Sequence, residues 1–135
     1  MNSKFWVGLA AYVAPSFPLA YAWHLTTFAE NYKALDLLRP DVILPFGFIT
    51  MLIQGALFSW AYPRLFSTAR RDWASSALKC ACTFALLAWS YAVLAVAAKI
   101  QMASVHDFML LETGWTMLQF AVTAPLLALA WRDPR

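Results

Sequence analysis

Glu112 sits inside SVHDFMLLETGWTMLQFAVTAPLLALAW, the run from Ser104 to Trp131, which is long enough to cross a bilayer as a helix. A carboxylate in such a run is costly, and by default it marks a functional site. Thr116, Gln119 and Thr123 follow it at helical spacing on the same face. A face of this kind could line a route for protons or a small solute. The plainer alternative is that Glu112, about two turns from the end of the run, pairs with Lys99 or Arg39 or reaches water. Gln54, about midway along an earlier apolar run, is the other polar candidate for that route.

His24 and His106 raise a second chemistry, because imidazole is the usual ligand for metal or haem. Their spacing supplies no H-x-x-x-H, H-x-x-E-H or E-x-x-H pattern. His106 falls in a helix-opening turn, and His24 is expected to point away from the small-residue face of its own helix. Interfacial imidazoles bonded to water or a neighbour are the alternative. Cys80 and Cys82 form C-x-C. On a helix they point about 200° apart and can neither bridge nor grip one metal together, so they read as small apolar filler. No G-x-G-x-x-G or phosphate-binding loop occurs, and no Ser-His-Asp set can be assembled on one side. Nothing here requires a cofactor, and the reading leans away from an enzyme.

The chain that must position these groups has 135 residues, 62% hydrophobic and 13% charged. Soluble domains carry about 25% charged residues, so lipid rather than water is the expected main solvent. The length suits one domain. A net charge of +3 from scattered basic residues offers no nucleic-acid-binding face. Four apolar runs, at about 5–29, 42–62, 74–98 and 105–131, are each long enough to span. Backbone groups find no partners in lipid, so the runs are read as helices. The first could instead be a signal peptide, with Lys4, an apolar stretch from Phe5 to Ala14 and an Ala20-Tyr21-Ala22 site; continued apolar character to Ala29 favours a retained helix. Asp41 is expected to cap the second helix and Pro63 to stop it, while Ser104 and Asp107 form a capping box for the fourth.

Short connections make the expected fold an all-α, up-down-up-down bundle of four transmembrane helices. Lys4, Arg64, Arg70, Arg71, Lys79, Arg132 and Arg135 fall on one side and Lys33, Arg39 and Lys99 on the other, which places both termini in the cytoplasm. Trp6, Trp60, Trp73 and Trp131 would form an aromatic belt on that side. The opposite mouth collects both histidines and most of the acids. There the loop ENYKALDLLRPD, with Leu35, Leu37 and Leu38, could form a short interfacial helix on the mouth or a docking surface.

Small residues let membrane helices approach closely. Two seams are expected: Gly8, Ala11, Pro15, Pro18, Ala22, Thr26 and Ala29 in the first helix, and an alanine row from Ala74 to Ala95 in the third; in the second helix Gly47, Thr50, Met51, Gln54, Phe58 and Ala61 share one face. Gln54 and Gln119 are expected to meet near the midplane. The architecture resembles that of small four-helix bacterial membrane proteins, which implies an inner, cytoplasmic membrane. Three functions are then open. The first is a non-enzymatic accessory or interaction subunit in a homo-oligomer or larger membrane complex. The second is a small oligomeric proton or solute carrier using Glu112, and the third a haem or metal protein using His24 and His106.

Overall fold

A computed structural model describes residues 3–37 and 39–133; Leu38 and Arg135, used above, lie outside the described residues. The described chain is helical, without strands. Helix α1 (Ser3–Ala22) runs into a π-helical turn (Trp23–Thr27), and the short α2 is Ala29–Ala34. Next come α3 (Leu44–Leu65), a 3-10 turn (Arg70–Asp72) and α4 (Trp73–Trp89). A second π turn (Ser90–Leu94), α5 (Ala95–Ala97) and α6 (Val105–Trp131) complete the order. Four stretches, Ser3–Thr27, Leu44–Leu65, Arg70–Ala97 and Val105–Trp131, are long and apolar enough to cross a membrane, which points to a multi-pass membrane protein.

The helix ends agree with the expected chemistry at one place and depart from it at two. Ser104 Oγ accepts from the Asp107 backbone N–H at 3.2 Å and caps α6. Asp41 does not cap α3. Both of its carboxylate oxygens are held by Arg39, whose guanidinium keeps the Asp41 carboxyl below the usual carboxylate range. The helix opens instead at Leu44 with Pro45 in its first turn, where a missing N–H costs nothing. Pro63 does not stop α3 either. A proline removes a ladder bond and crowds the carbonyl four residues back, yet the helix runs on two residues past it to Leu65 and ends at the extended Phe66.

Helix α6 is the spine. It packs along both α1 and α4, α1 packs along α3, and α3 touches α6 over a shorter stretch. At one end of the bundle Lys4 Nζ meets Asp133 Oδ1 at 2.7 Å, and the Asp133 N–H donates to the Thr68 carbonyl at 2.9 Å. The Lys4 ammonium and the Thr68 hydroxyl hold the Asp133 carboxyl below its ordinary range. At the other end α2 lies across the mouth. Tyr32 and Leu35 are buried there with Val93 and Phe108, and the Ala103 N–H donates to the Leu35 carbonyl. The loop is thus a helical plug rather than a free flap. Asp36, at φ 56°, turns the chain out of it, a left-handed position that Asp tolerates.

The seams differ from expectation. In α1 the enclosed residues are Gly8, Tyr12, Val13 and Ser16, while Pro18, Ala22 and Thr26 are exposed. Tyr12 is rotated inward because its hydroxyl has two side-chain partners there, and small size alone has no comparable pull. In α3 Gly47 and Thr50 are exposed, whereas Gly55, Ser59 and Tyr62 are buried. In α4 Ala77 is buried and Ala81, Ala85 and Ala88 pack against the core, but Ala74 is exposed. Trp6, Trp60 and Trp73 are exposed as a belt would be; Trp131 instead turns inward and donates to Ser59 Oγ at 3.2 Å.

A close approach of Ser59 on α3 and Trp131 on α6 explains Gly8. A β-carbon there would stand 2.3 Å from Ser59 Oγ and 2.9 Å from Trp131 Nε1, whereas one on Gly47 would meet nothing within 4 Å. Gly8→Ala is therefore expected to destabilise the bundle by about 1–3 kcal/mol, and Gly47→Ala to be neutral or slightly stabilising. Thermal unfolding of both variants in the same lipid nanodiscs checks the contrast; equal melting of the two would remove the close-packing argument.

Candidate functional site

Three polar clusters lie along α6. The first, at the α2 end, contains Glu112. The π turn after α1 inserts about one extra residue, and with it both Trp23 and His24 turn inward. His24 Nε2 stands 3.5 Å from Glu112 Oε1, with the two side chains 23% and 16% exposed. The Tyr32 hydroxyl, carried in by α2, donates to the same Oε1 at 2.6 Å and accepts from Trp23 Nε1 at 3.2 Å. Burial and the adjacent Glu112 hold the Tyr32 phenol well above its ordinary pKa, so it remains a donor.

Several contacts hold the His24 ring, which also borders the cleft that Phe17, Ala20 and Gly47 line. Nδ1 lies 3.0 Å from the Ala20 carbonyl, and the ring packs 4.8 Å from Tyr32 and 5.0 Å from Trp115, centre to centre. Trp23 lies against α6 where Gly114 leaves room; a β-carbon there would come within 3.3 Å of the indole. On the other flank Trp89 Nε1 donates to Thr113 Oγ1 at 2.8 Å. Glu112 therefore pairs with neither Lys99 nor Arg39. Its partners are a histidine expected to face elsewhere and a tyrosine from the plug.

The second cluster is midway. Gln54 and Gln119 are not bonded directly to one another; Tyr12 stands between them. Its hydroxyl donates to Gln54 Oε1 at 2.7 Å and accepts from Gln119 Nε2 at 2.8 Å, and that amide also lies 3.7 Å from Met51 Sδ. Thr116 and Thr123 are buried on the same face of α6, but each hydroxyl donates to the carbonyl one turn back, Glu112 O and Gln119 O. The expected polar row is real in position, and its hydroxyls serve their own helix. The third cluster is Ser59, which donates to the Phe5 carbonyl and accepts from Trp131.

The remaining candidates lie apart from this row. His106 is 80% exposed and pairs with Asp107 at 3.2 Å, so it does not join His24. Among the described residues no group of three or more His, Cys, Asp or Glu side chains is placed to hold a metal. Cys80 is buried and Cys82 exposed, as residues on opposite sides of a helix must be. Tyr12, Trp23 and Tyr32 are the site residues that spacing did not reveal. The usable signal was their chemistry: an aromatic body with a polar tip suits a buried hydrogen-bonding position.

The bridge through Tyr12 joins α1, α3 and α6 at one atom. Tyr12→Phe removes both bonds and leaves two amides short of a partner, with an expected loss of about 0.6–2 kcal/mol. Thermal unfolding in nanodiscs measures it; an unchanged midpoint would show that the amides re-pair without the tyrosine. Compared with protein-family models, curated proteins and solved structures, the chain matches none of them.

Proposed function

We propose that this chain is a small non-enzymatic membrane protein that acts as a helix-docking subunit, either with further copies of itself or within a larger membrane complex. In this reading the bundle stands up-down-up-down in a bacterial-type inner membrane with both termini in the cytoplasm. The excess of Lys and Arg around Lys4, Arg64, Arg70, Arg71 and Arg132 supports that orientation.

One observation carries the docking role. The start of α3, from Leu44 to Thr50, is exposed throughout, and it contains the small residues Gly47 and Thr50. Beside it lies a cleft of about 230 Å³ between α1 and α3, lined by Phe17, Ala20, Leu44, Gly47 and Met51 among others. Small residues with nothing packed on them leave space for another helix to approach closely. Native mass spectrometry from lipid nanodiscs is expected to find a second copy or one stoichiometric partner, and Gly47→Trp is expected to release it while the fold survives. A solitary monomer in lipid, or a complex indifferent to Gly47→Trp, would count against docking through this face.

A second reading, a proton or solute carrier, is favoured by the Glu112–His24 contact. The bridge through Tyr12 between Gln54 and Gln119 and the self-bonded threonines oppose it, since these groups are already engaged, although the buried Ser16 and Tyr62 hydroxyls have no partner. If it holds, Glu112→Gln should abolish proton-linked flux in liposomes; equal flux would take Glu112 out of the route. The haem or metal reading has no supporting observation, because both ring nitrogens of His24 have neighbours and His106 is occupied at the surface.

A further inference from the structure

We propose that the groove between α4 and α6 holds one acyl chain of an anionic phospholipid, with the lipid phosphate on Lys79. This face is separate from the flank of α3 around Gly47, and the inference stands whether or not that flank docks a helix.

The groove has a volume of about 620 Å³. Its walls are Leu78 and Leu86 on α4 and Met117 on α6, which are 66%, 66% and 67% exposed. Ala81, Ala85 and Thr116, shorter and less exposed, make its floor. The Thr116 hydroxyl donates to the Glu112 carbonyl, and the Thr113 hydroxyl accepts from Trp89. Both are engaged within the protein, so the groove asks for an apolar occupant.

Length separates a lipid tail from a helix. At one end Trp89 Nε1 donates to Thr113 Oγ1 at 2.8 Å, and this bond joins α4 to α6 across the groove. From Leu78 to Trp89 the helical rise is about 16 Å, close to half of the roughly 30 Å hydrocarbon core. A second helix would need a face that runs through the whole core, and the Trp89–Thr113 bridge interrupts it. A lipid tail needs the depth of one leaflet.

The open end is basic. Lys79 is exposed and follows Leu78, about 20° around the helix from the line of Leu86, which puts it at the rim. A lysine within the apolar stretch of a spanning helix is costly without a counter-charge. Lys4, Lys33, Arg39 and Arg71 each have a carboxylate partner, and among the described residues none pairs with Lys79. Arg71, 89% exposed, lies seven residues before Leu78, close to the same helical line. The acid beside it, Asp72, is held by Ser67 and Arg71. An apolar groove one leaflet deep that ends at two cations matches an amphiphile with a long tail and an anionic head. Basic side chains near a bilayer surface attract such headgroups.

The test is native mass spectrometry of the full chain released from nanodiscs. The nanodiscs hold equal amounts of phosphatidylglycerol and phosphatidylcholine with the same acyl chains. One phosphatidylglycerol is expected to stay bound per chain. Lys79→Gln is expected to lower its retention about fivefold, Lys79→Arg to keep it, and Lys99→Gln, beyond the other end of the span, to leave it unchanged. Ala121→Trp, which fills the groove from an exposed position, is expected to abolish retention. Loss of all lipid or equal retention of both lipids in the parent chain would overturn the proposal. So would unchanged retention in Lys79→Gln or Ala121→Trp, an equal loss in Lys99→Gln, or a second copy of the chain that Ala121→Trp releases. The comparison of the two lipids is made on the parent chain and does not depend on any variant folding.

Discussion

A polar side chain in hydrocarbon has no water to turn to, and most of this fold can be traced to that constraint. Helix α6 brings Glu112, Thr116, Gln119 and Thr123 into the bundle, and each must be satisfied by another part of the chain. The threonines are met by their own backbone. Gln119 and Glu112 are met from outside the helix, by Tyr12 on α1 and by Tyr32 on α2. These two tyrosines settle how the neighbouring elements turn toward α6. Apolar packing could be met by several rotations, because lipid and protein interiors are similarly apolar.

The two ends solve the same problem differently. At the terminal end the small Gly8 lets Ser59 and Trp131 come together, and an exposed latch of Lys4, Asp133 and Thr68 holds the chain ends. At the other end bulk replaces small size. The π turn delivers Trp23 and His24, and α2 inserts Tyr32 and Leu35. The beginning of α3 is left exposed on the flank, where its small residues remain available for another helix.

That division bears on function. A transport route needs polar groups with bonding capacity to spare, and the mid-bundle groups have largely spent theirs on one another. The Glu112 site is different, because its histidine and carboxylate approach without the short distance of a full hydrogen bond. Chemistry and architecture are therefore separable in this chain. One end carries an ionisable pair, the middle is structural, and the start of α3 lies exposed on the flank.

Composition and apolar run length were enough to determine four helices able to cross a membrane, because span length is fixed by bilayer thickness and helical rise. The Ser104 cap was equally legible, since a cap is local chemistry between residues three apart. Glu112 and its polar row could be placed on one face from periodicity alone. Helix rotation was not legible: the π turn shifts the register after Ala22, and the alanine, glycine and proline spacings fit more than one face. Asp41 and Pro63 misled for a related reason, as a capping residue can be taken by a nearby arginine and a proline can sit in a last turn. The partners of Glu112 come from residues 80 and 88 positions earlier in the chain, brought together by a plug helix and an irregular turn. Only the tertiary structure could decide them, because which polar groups satisfy one another in lipid is settled by three-dimensional proximity and not by spacing along the sequence.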